Sequence, residues 1–127
     1  MNVLICDDSA FARKQMARAL PEDWPVSLHF AEHGQQGVEE ILNGHGDLVF
    51  LDLTMPVMDG YQVLRTLRNE NIRSRVVVVS GDIQPEARAE VMALGALDFI
   101  KKPCTSEQIS HLLRRLGLYQ PGELFER

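Results

Sequence analysis

Asp7-Asp8, Asp52 and Ser80 each stand at the end of a short apolar run, Val3 to Cys6, Leu48 to Leu51 and Val76 to Val79, and Lys101-Lys102 at the end of a last short strand, Leu97 to Ile100. Each alone has an ordinary use. Asp8 or Ser9 can cap a helix, Asp52 can occupy a turn, Ser80-Gly81-Asp82 can lead into a helix, and two lysines can be a solvated pair. Together they place three carboxylates, a hydroxyl and one or two ammonium groups at run ends. That set suits magnesium-assisted chemistry on a phosphoryl group. Mg²⁺ is a hard octahedral cation, held by one or two carboxylates plus phosphate oxygens and water. An aspartate has an unperturbed pKa of ~3.9 and needs no general base to act as nucleophile. Phosphoryl transfer asks mainly for positioning and charge neutralisation. A lysine supplies a point charge on one phosphoryl oxygen, and a serine hydroxyl can donate to another.

Regular elements must hold these groups. Apolar runs alternate with helical patterns along the whole chain. Ser9 to Leu20 carries Ala12, Met16, Ala19 and Leu20 at helical spacing and closes at Pro21. Val26 to Phe30 reads as a strand, and Gln35 to Leu42 as a helix stopped by Asn43-Gly44. A loop with Pro56 and Gly60 precedes a helix over Gly60 to Asn69. The β-branched run Val76 to Val79 suits a strand covered on both faces. Pro85 to Leu94 is a helix ended by Gly95, and Thr105 with Gln108 forms a capping-box pattern ahead of Ile109, Leu112, Leu113 and Leu116. Five strands alternating with five helices predict an α/β fold: a five-stranded parallel sheet, doubly wound as (βα)5. Ligands of such sheets bind outside the carboxyl ends of the strands, where all the reactive residues fall.

Composition narrows the class. With 127 residues, 45% of them hydrophobic, the chain is one domain with a real core. A formal charge of −5 disfavours direct nucleic-acid contact through phosphate neutralisation. No apolar run approaches the ~20 residues of a membrane span, and the N-terminus does not resemble a signal peptide, so a cytoplasmic location is expected. Cys6 and Cys104 lack metal-ligand spacing and read as inert reduced thiols. His29, His33, His45 and His111 lack zinc-site spacing, and His29 reads as a packed strand residue; no transition metal is indicated.

Asp7-Asp8, the segment Leu51-Asp52-Leu53-Thr54-Met55-Pro56-Val57-Met58-Asp59-Gly60, then Val79-Ser80-Gly81 and Phe99-Ile100-Lys101-Lys102-Pro103 resemble the receiver domain of two-component response regulators, the family of the single-domain chemotaxis regulator. The resemblance covers residues 1–117, leaving 118–127 as a C-terminal tail or the start of a linker. It implies the flavodoxin-like strand order 2-1-3-4-5 and a phosphorylation-dependent signalling switch in a phosphorelay. By the same resemblance Asp52 is the phosphoacceptor. Asp8 binds the metal directly and Asp7 through water, and Thr54 contributes its backbone carbonyl. Ser80 is the switch hydroxyl, Lys102 rather than Lys101 the phosphoryl-stabilising lysine, and Phe99 the aromatic switch. Pro56 and Gly60 have structural roles beside Asp59, as does Pro103, whose bond to Lys102 is usually cis in the family. Thr54 and Asp82 flank the site and tune phosphate lifetime.

The implied cofactor is Mg²⁺, for which Mn²⁺ could substitute. The implied donor is a histidine kinase or phosphotransfer protein. A downstream protein, or a second copy of the chain, would bind the face of the fourth helix (about Pro85–Leu94), the fifth strand and the fifth helix (about Thr105–Leu116). The chain is then no enzyme beyond its own phosphorylation and dephosphorylation. Four other readings compete on function. The chain could be a receiver cut from a larger regulator with an output domain. An aspartate-nucleophile phosphatase would place a second aspartate two residues after the first, where this chain has Thr54. A flavodoxin-like carrier would want a hydroxyl- and glycine-rich phosphate loop where Asp7-Asp8 stand, and a dinucleotide-binding site would want G-x-G-x-x-G there.

Overall fold

Strands β1 (Asn2–Cys6), β2 (Ser27–Ala31), β3 (Leu48–Leu51), β4 (Arg75–Ser80) and β5 (Asp98–Lys101) alternate with α1 (Ala10–Ala19), α2 (Gly34–Leu42), α3 (Gly60–Asn69), α4 (Pro85–Ala93) and α5 (Ser106–Arg115). The computed structural model describes residues 1–81 and 84–121; Asp82, and Leu124 and Phe125 of the tail, lie outside the described residues. All strands are parallel, in the order β2-β1-β3-β4-β5. This is the doubly wound fold and strand order that the sequence and the resemblance imply.

Local chemistry starts the helices where the sequence places them. Ser9 caps α1 by accepting from the Ala12 amide, so Asp8 is free of that task. Asp59 with Gln62 closes a capping box on α3, and Thr105 with Gln108 closes another on α5. Pro85 opens α4, where its missing N–H costs nothing. Gly44, at φ 84°, ends α2 in the left-handed region that glycine reaches without strain.

Strand alternation then divides the core between the two faces of the sheet. Leu4, Cys6, Val49, Leu51, Val76 and Val78 meet α2, α3 and α4 through Val38, Ile41, Val63, Leu64, Leu67 and Val91. Val3, Ile5, Leu48, Phe50, Val77 and Val79 meet α1 and α5 through Met16, Ala19, Ile109, Leu112 and Leu113. Each fully buried side chain of this kind stabilises the fold by about 1.5–3 kcal/mol before entropy is counted. Covering both faces leaves only the strand ends for polar side chains, and the site forms there.

The edge strand β2 departs from the expectation of a packed strand. Leu28 and Phe30 are exposed although both are apolar. They share the side of Val3 and Ile5 through strand register, at the margin of the layer that α1 and α5 cover. His29, on the opposite side with Leu4, is half-buried against polar neighbours rather than packed in the apolar core. Beyond α5, Leu118 and Tyr119 fold back on Trp24, whose indole N–H donates to the Leu118 carbonyl at 2.8 Å.

Candidate phosphoryl and metal site

Sheet hydrogen bonds set the site's dimensions. The Asp7 amide donates to Ala31 and the Asp52 amide to Cys6, each at 3.0 Å, so the two aspartates emerge side by side from neighbouring strands. The Lys102 amide donates to the Ser80 carbonyl at 2.8 Å, which ties the end of β5 to the end of β4. Asp7, Asp52 and Ser80 are buried, and Asp8 is exposed. Carboxylate oxygens of Asp7, Asp8 and Asp52 all lie within 4.8 Å of one another.

Lys102 reaches into this group. Its Nζ lies 2.6 Å from Asp7 Oδ2 and 3.4 Å from Asp52 Oδ1, while Lys101 is exposed. The Lys102–Pro103 peptide is cis, as the resemblance implies. Further bonds orient Asp7: its Oδ1 accepts from the Ser9 amide at 2.9 Å, and its backbone carbonyl accepts from Arg13 at 2.7 Å.

Charge is crowded at this edge. Burial, and next the charge of Asp7, raise the Asp52 carboxyl above its ordinary pKa, although Lys102 pulls the other way. Burial alone would lower the Lys102 ammonium, but its hydrogen bond to Asp7 and the charges of both aspartates outweigh this and raise it. Burial, then the charges of Asp7 and Asp52, push the Cys6 thiol up to about 12, so it stays protonated.

The remaining predicted residues frame the cluster. Thr54 lies two residues past Asp52 with its side chain exposed. Pro56 begins a tight turn in which the Met58 amide donates to the Pro56 carbonyl at 2.7 Å, and Val57 between them takes φ 68°. A positive φ is unfavourable for a β-branched residue, so the turn stores strain beside the site. Gly60 is required by contact: a Cβ there would meet the Asp52 carbonyl oxygen at 2.4 Å. Phe99 is half-buried on the edge strand, packed against the layer that includes Val91 and Ala96. Thus Asp7, Asp8, Asp52 and Lys102 converge directly, Ser80 sits on the adjoining strand end, and Phe99 lies beside α4.

Sequence reasoning missed two parts of this frame. Arg13 sits on α1 with nothing in its spacing to mark it. Gly34, whose amide donates to Met58 at 3.0 Å and whose Cβ would meet that carbonyl oxygen at 2.1 Å, holds α2 against the strained turn. Only contact geometry shows either.

A parallel doubly wound sheet with an acidic cluster and a lysine at its carboxyl edge is the arrangement of the receiver class. The chain belongs to the response regulator receiver domain family, whose profile matches residues 3–114. It is 31% identical to the chemotaxis protein CheY of Bacillus subtilis over 113 residues, 89% of this chain and 94% of that protein. It is 38% identical to a protein-glutamate methylesterase/protein-glutamine glutaminase of Symbiobacterium thermophilum over 118 residues, 90% of this chain but 32% of that protein. The chain therefore spans about a third of the length of the methylesterases it matches. Among solved structures, the receiver domain of the putative regulator NarL from Mycobacterium tuberculosis superposes with a TM-score of 0.83 at 28% identity, covering 94% of this chain and 97% of that one. A switch driven by phosphorylation, using Mg²⁺ at an acidic pocket, is general for this family. No described helix is long and apolar enough to cross a membrane.

Proposed function

We propose that this chain is a phosphorylation-operated signalling switch whose phosphoacceptor is Asp52. The observation that carries this reading is the convergence of the Asp7, Asp8 and Asp52 carboxylates within 4.8 Å, with Lys102 ion-paired to two of them. A cluster of hard oxygen donors with surplus negative charge fits Mg²⁺, or Mn²⁺ in its place. Asp8, Asp52 and the Thr54 carbonyl would hold the ion, with Asp7 contributing through water. When bound, the ion neutralises charge on the transferring phosphoryl oxygens.

An Asp52 carboxylate oxygen attacks the phosphorus of a phosphohistidine on a histidine kinase or phosphotransfer protein. The P–N bond breaks and the leaving imidazole takes up a proton. Lys102 places its ammonium on one phosphoryl oxygen, and Ser80 donates its hydroxyl to another. Hydrolysis of the acyl phosphate by water resets the switch, and no other turnover is assigned to the chain. The Ser80 contact draws its loop towards the phosphoryl group and lets Phe99 turn inward beside α4. This alters the α4-β5-α5 face, where a downstream protein or a second copy binds. The setting proposed is the cytoplasm, without direct nucleic-acid or membrane contact.

Intact-mass analysis with a small phosphodonor and Mg²⁺ tests the assignment. The mass should rise by one phosphoryl group, and Asp52→Asn should stay unmodified. Labelling of Asp52→Asn to the parent's level, or labelling that persists in EDTA, refutes it.

A further inference from the structure

At the opposite, amino-terminal edge of the sheet, three metal-capable side chains meet that sequence spacing did not associate. His29 comes from β2, Glu40 from the last turns of α2, and His45 from the turn into β3. One nitrogen of each imidazole and one Glu40 oxygen lie within 4.8 Å of one another. The rings of His29 and His45 stack with centroids 4.1 Å apart and planes 4° from parallel. We propose that His29, Glu40 and His45 form a binding site for a divalent transition ion of the zinc class, separate from the acidic site at Asp52.

The donor set supports this chemistry. Two imidazoles and a carboxylate suit Zn²⁺, whereas Mg²⁺ prefers an all-oxygen shell. Both histidines are oriented by neighbours. His45 Nδ1 lies 2.6 Å from Glu40 Oε2, and His29 Nε2 lies 3.0 Å from Asn2 Oδ1. The backbone beneath is fixed, because the His45 amide donates to the Glu40 carbonyl at 3.0 Å and Gly44 takes the left-handed φ that turns the chain. Asn2 adds a brace by donating to the Gly44 carbonyl at 3.2 Å. Donor atoms of a tetrahedral Zn²⁺ site stand about 3.4 Å apart, so the 2.6 Å contact of His45 with Glu40 must widen while the longer separations close as the ion enters. The parallel stack must also open. The half-exposed His45 side chain can swing to do so, and water can fill the fourth position. An ion there ties the edge strand β2 to the turn after α2.

Calorimetric titration of the full chain with Zn²⁺, in excess Mg²⁺ to occupy the acidic site, tests the proposal. One Zn²⁺ per chain should bind, and Asp52→Asn should bind it equally well. His29→Gln and His45→Gln should each weaken binding at least about tenfold, since even residues behind the ligands commonly cost that much. Urea melts of both variants without metal check that the fold is retained. Zn²⁺ should raise the unfolding midpoint of the parent and not that of the doubly substituted chain. Unchanged affinity in both histidine variants, or binding lost in Asp52→Asn, overturns the proposal.

Discussion

Replacing Asp52 by asparagine should make the metal-free protein more stable while abolishing its capacity to be phosphorylated. Asp52 is 8% exposed. Its attraction to Lys102 at 3.4 Å is about 5 kcal/mol at an effective dielectric of 20. Repulsion from Asp7, whose carboxylate lies within 4.8 Å, is at least about 3.5 kcal/mol on the same scale. Asp8 adds a smaller, solvent-screened repulsion. The charges nearly cancel, leaving the cost of burying the carboxylate, in agreement with its raised pKa. Asparagine removes that cost, and we expect a gain of roughly 1–2 kcal/mol. The sign follows from linkage. Since the folded pKa lies above the unfolded one, the folded chain holds the proton better between the two, and stability falls as pH rises through that window. The advantage of Asp52→Asn is therefore full above the raised pKa, shrinks as pH falls, and vanishes below the ordinary carboxylate value of ~3.9. Urea unfolding of parent and variant from pH 7.5 to pH 4 without divalent ions measures it. Mg²⁺ at about 100 times its dissociation constant should then add about 2.7 kcal/mol to the parent, closing the gap. A variant no more stable than the parent at pH 7.5, or an advantage that grows in acid, would refute the electrostatic reasoning.

Lys102→Ala should damage phosphorylation, or the response to it, far more than Lys101→Ala, as read by phosphodonor labelling; equal effects would mean that the ammonium at Asp7 and Asp52 is not the one used. Phe99→Ala should leave Asp52 phosphorylation nearly intact and reduce phosphorylation-dependent association, measured by size-exclusion or pull-down with and without a phosphoryl mimic. Full retention of that association would place the output face elsewhere. Gly60→Ala drives a Cβ onto the Asp52 carbonyl oxygen and to 2.8 Å from Leu53 Cα, and should cost about 1–3 kcal/mol by denaturant unfolding. No loss would mean that α3 can withdraw from β3 without strain.

Sequence alone determined the alternation of strands and helices, because hydrophobic period and capping act over a few residues. Val76 to Val79 reads as a doubly covered strand, and Asp59 and Thr105 begin helices with bonds their own neighbours supply. It also determined that the reactive residues end strands, so their meeting at one edge follows once the sheet is parallel. Tertiary structure decided what depends on strand order and register. The 2.6 Å contact between Lys102 and Asp7 spans 95 residues. The apolar Leu28 and Phe30 are exposed because β2 is an edge strand, a position that composition does not encode. His29, Glu40 and His45 show no metal-site spacing and still face one another, because β2, the end of α2 and the next turn converge at one corner of the sheet. Short-range patterns specify elements, and the distances between side chains far apart in sequence are set only when those elements pack.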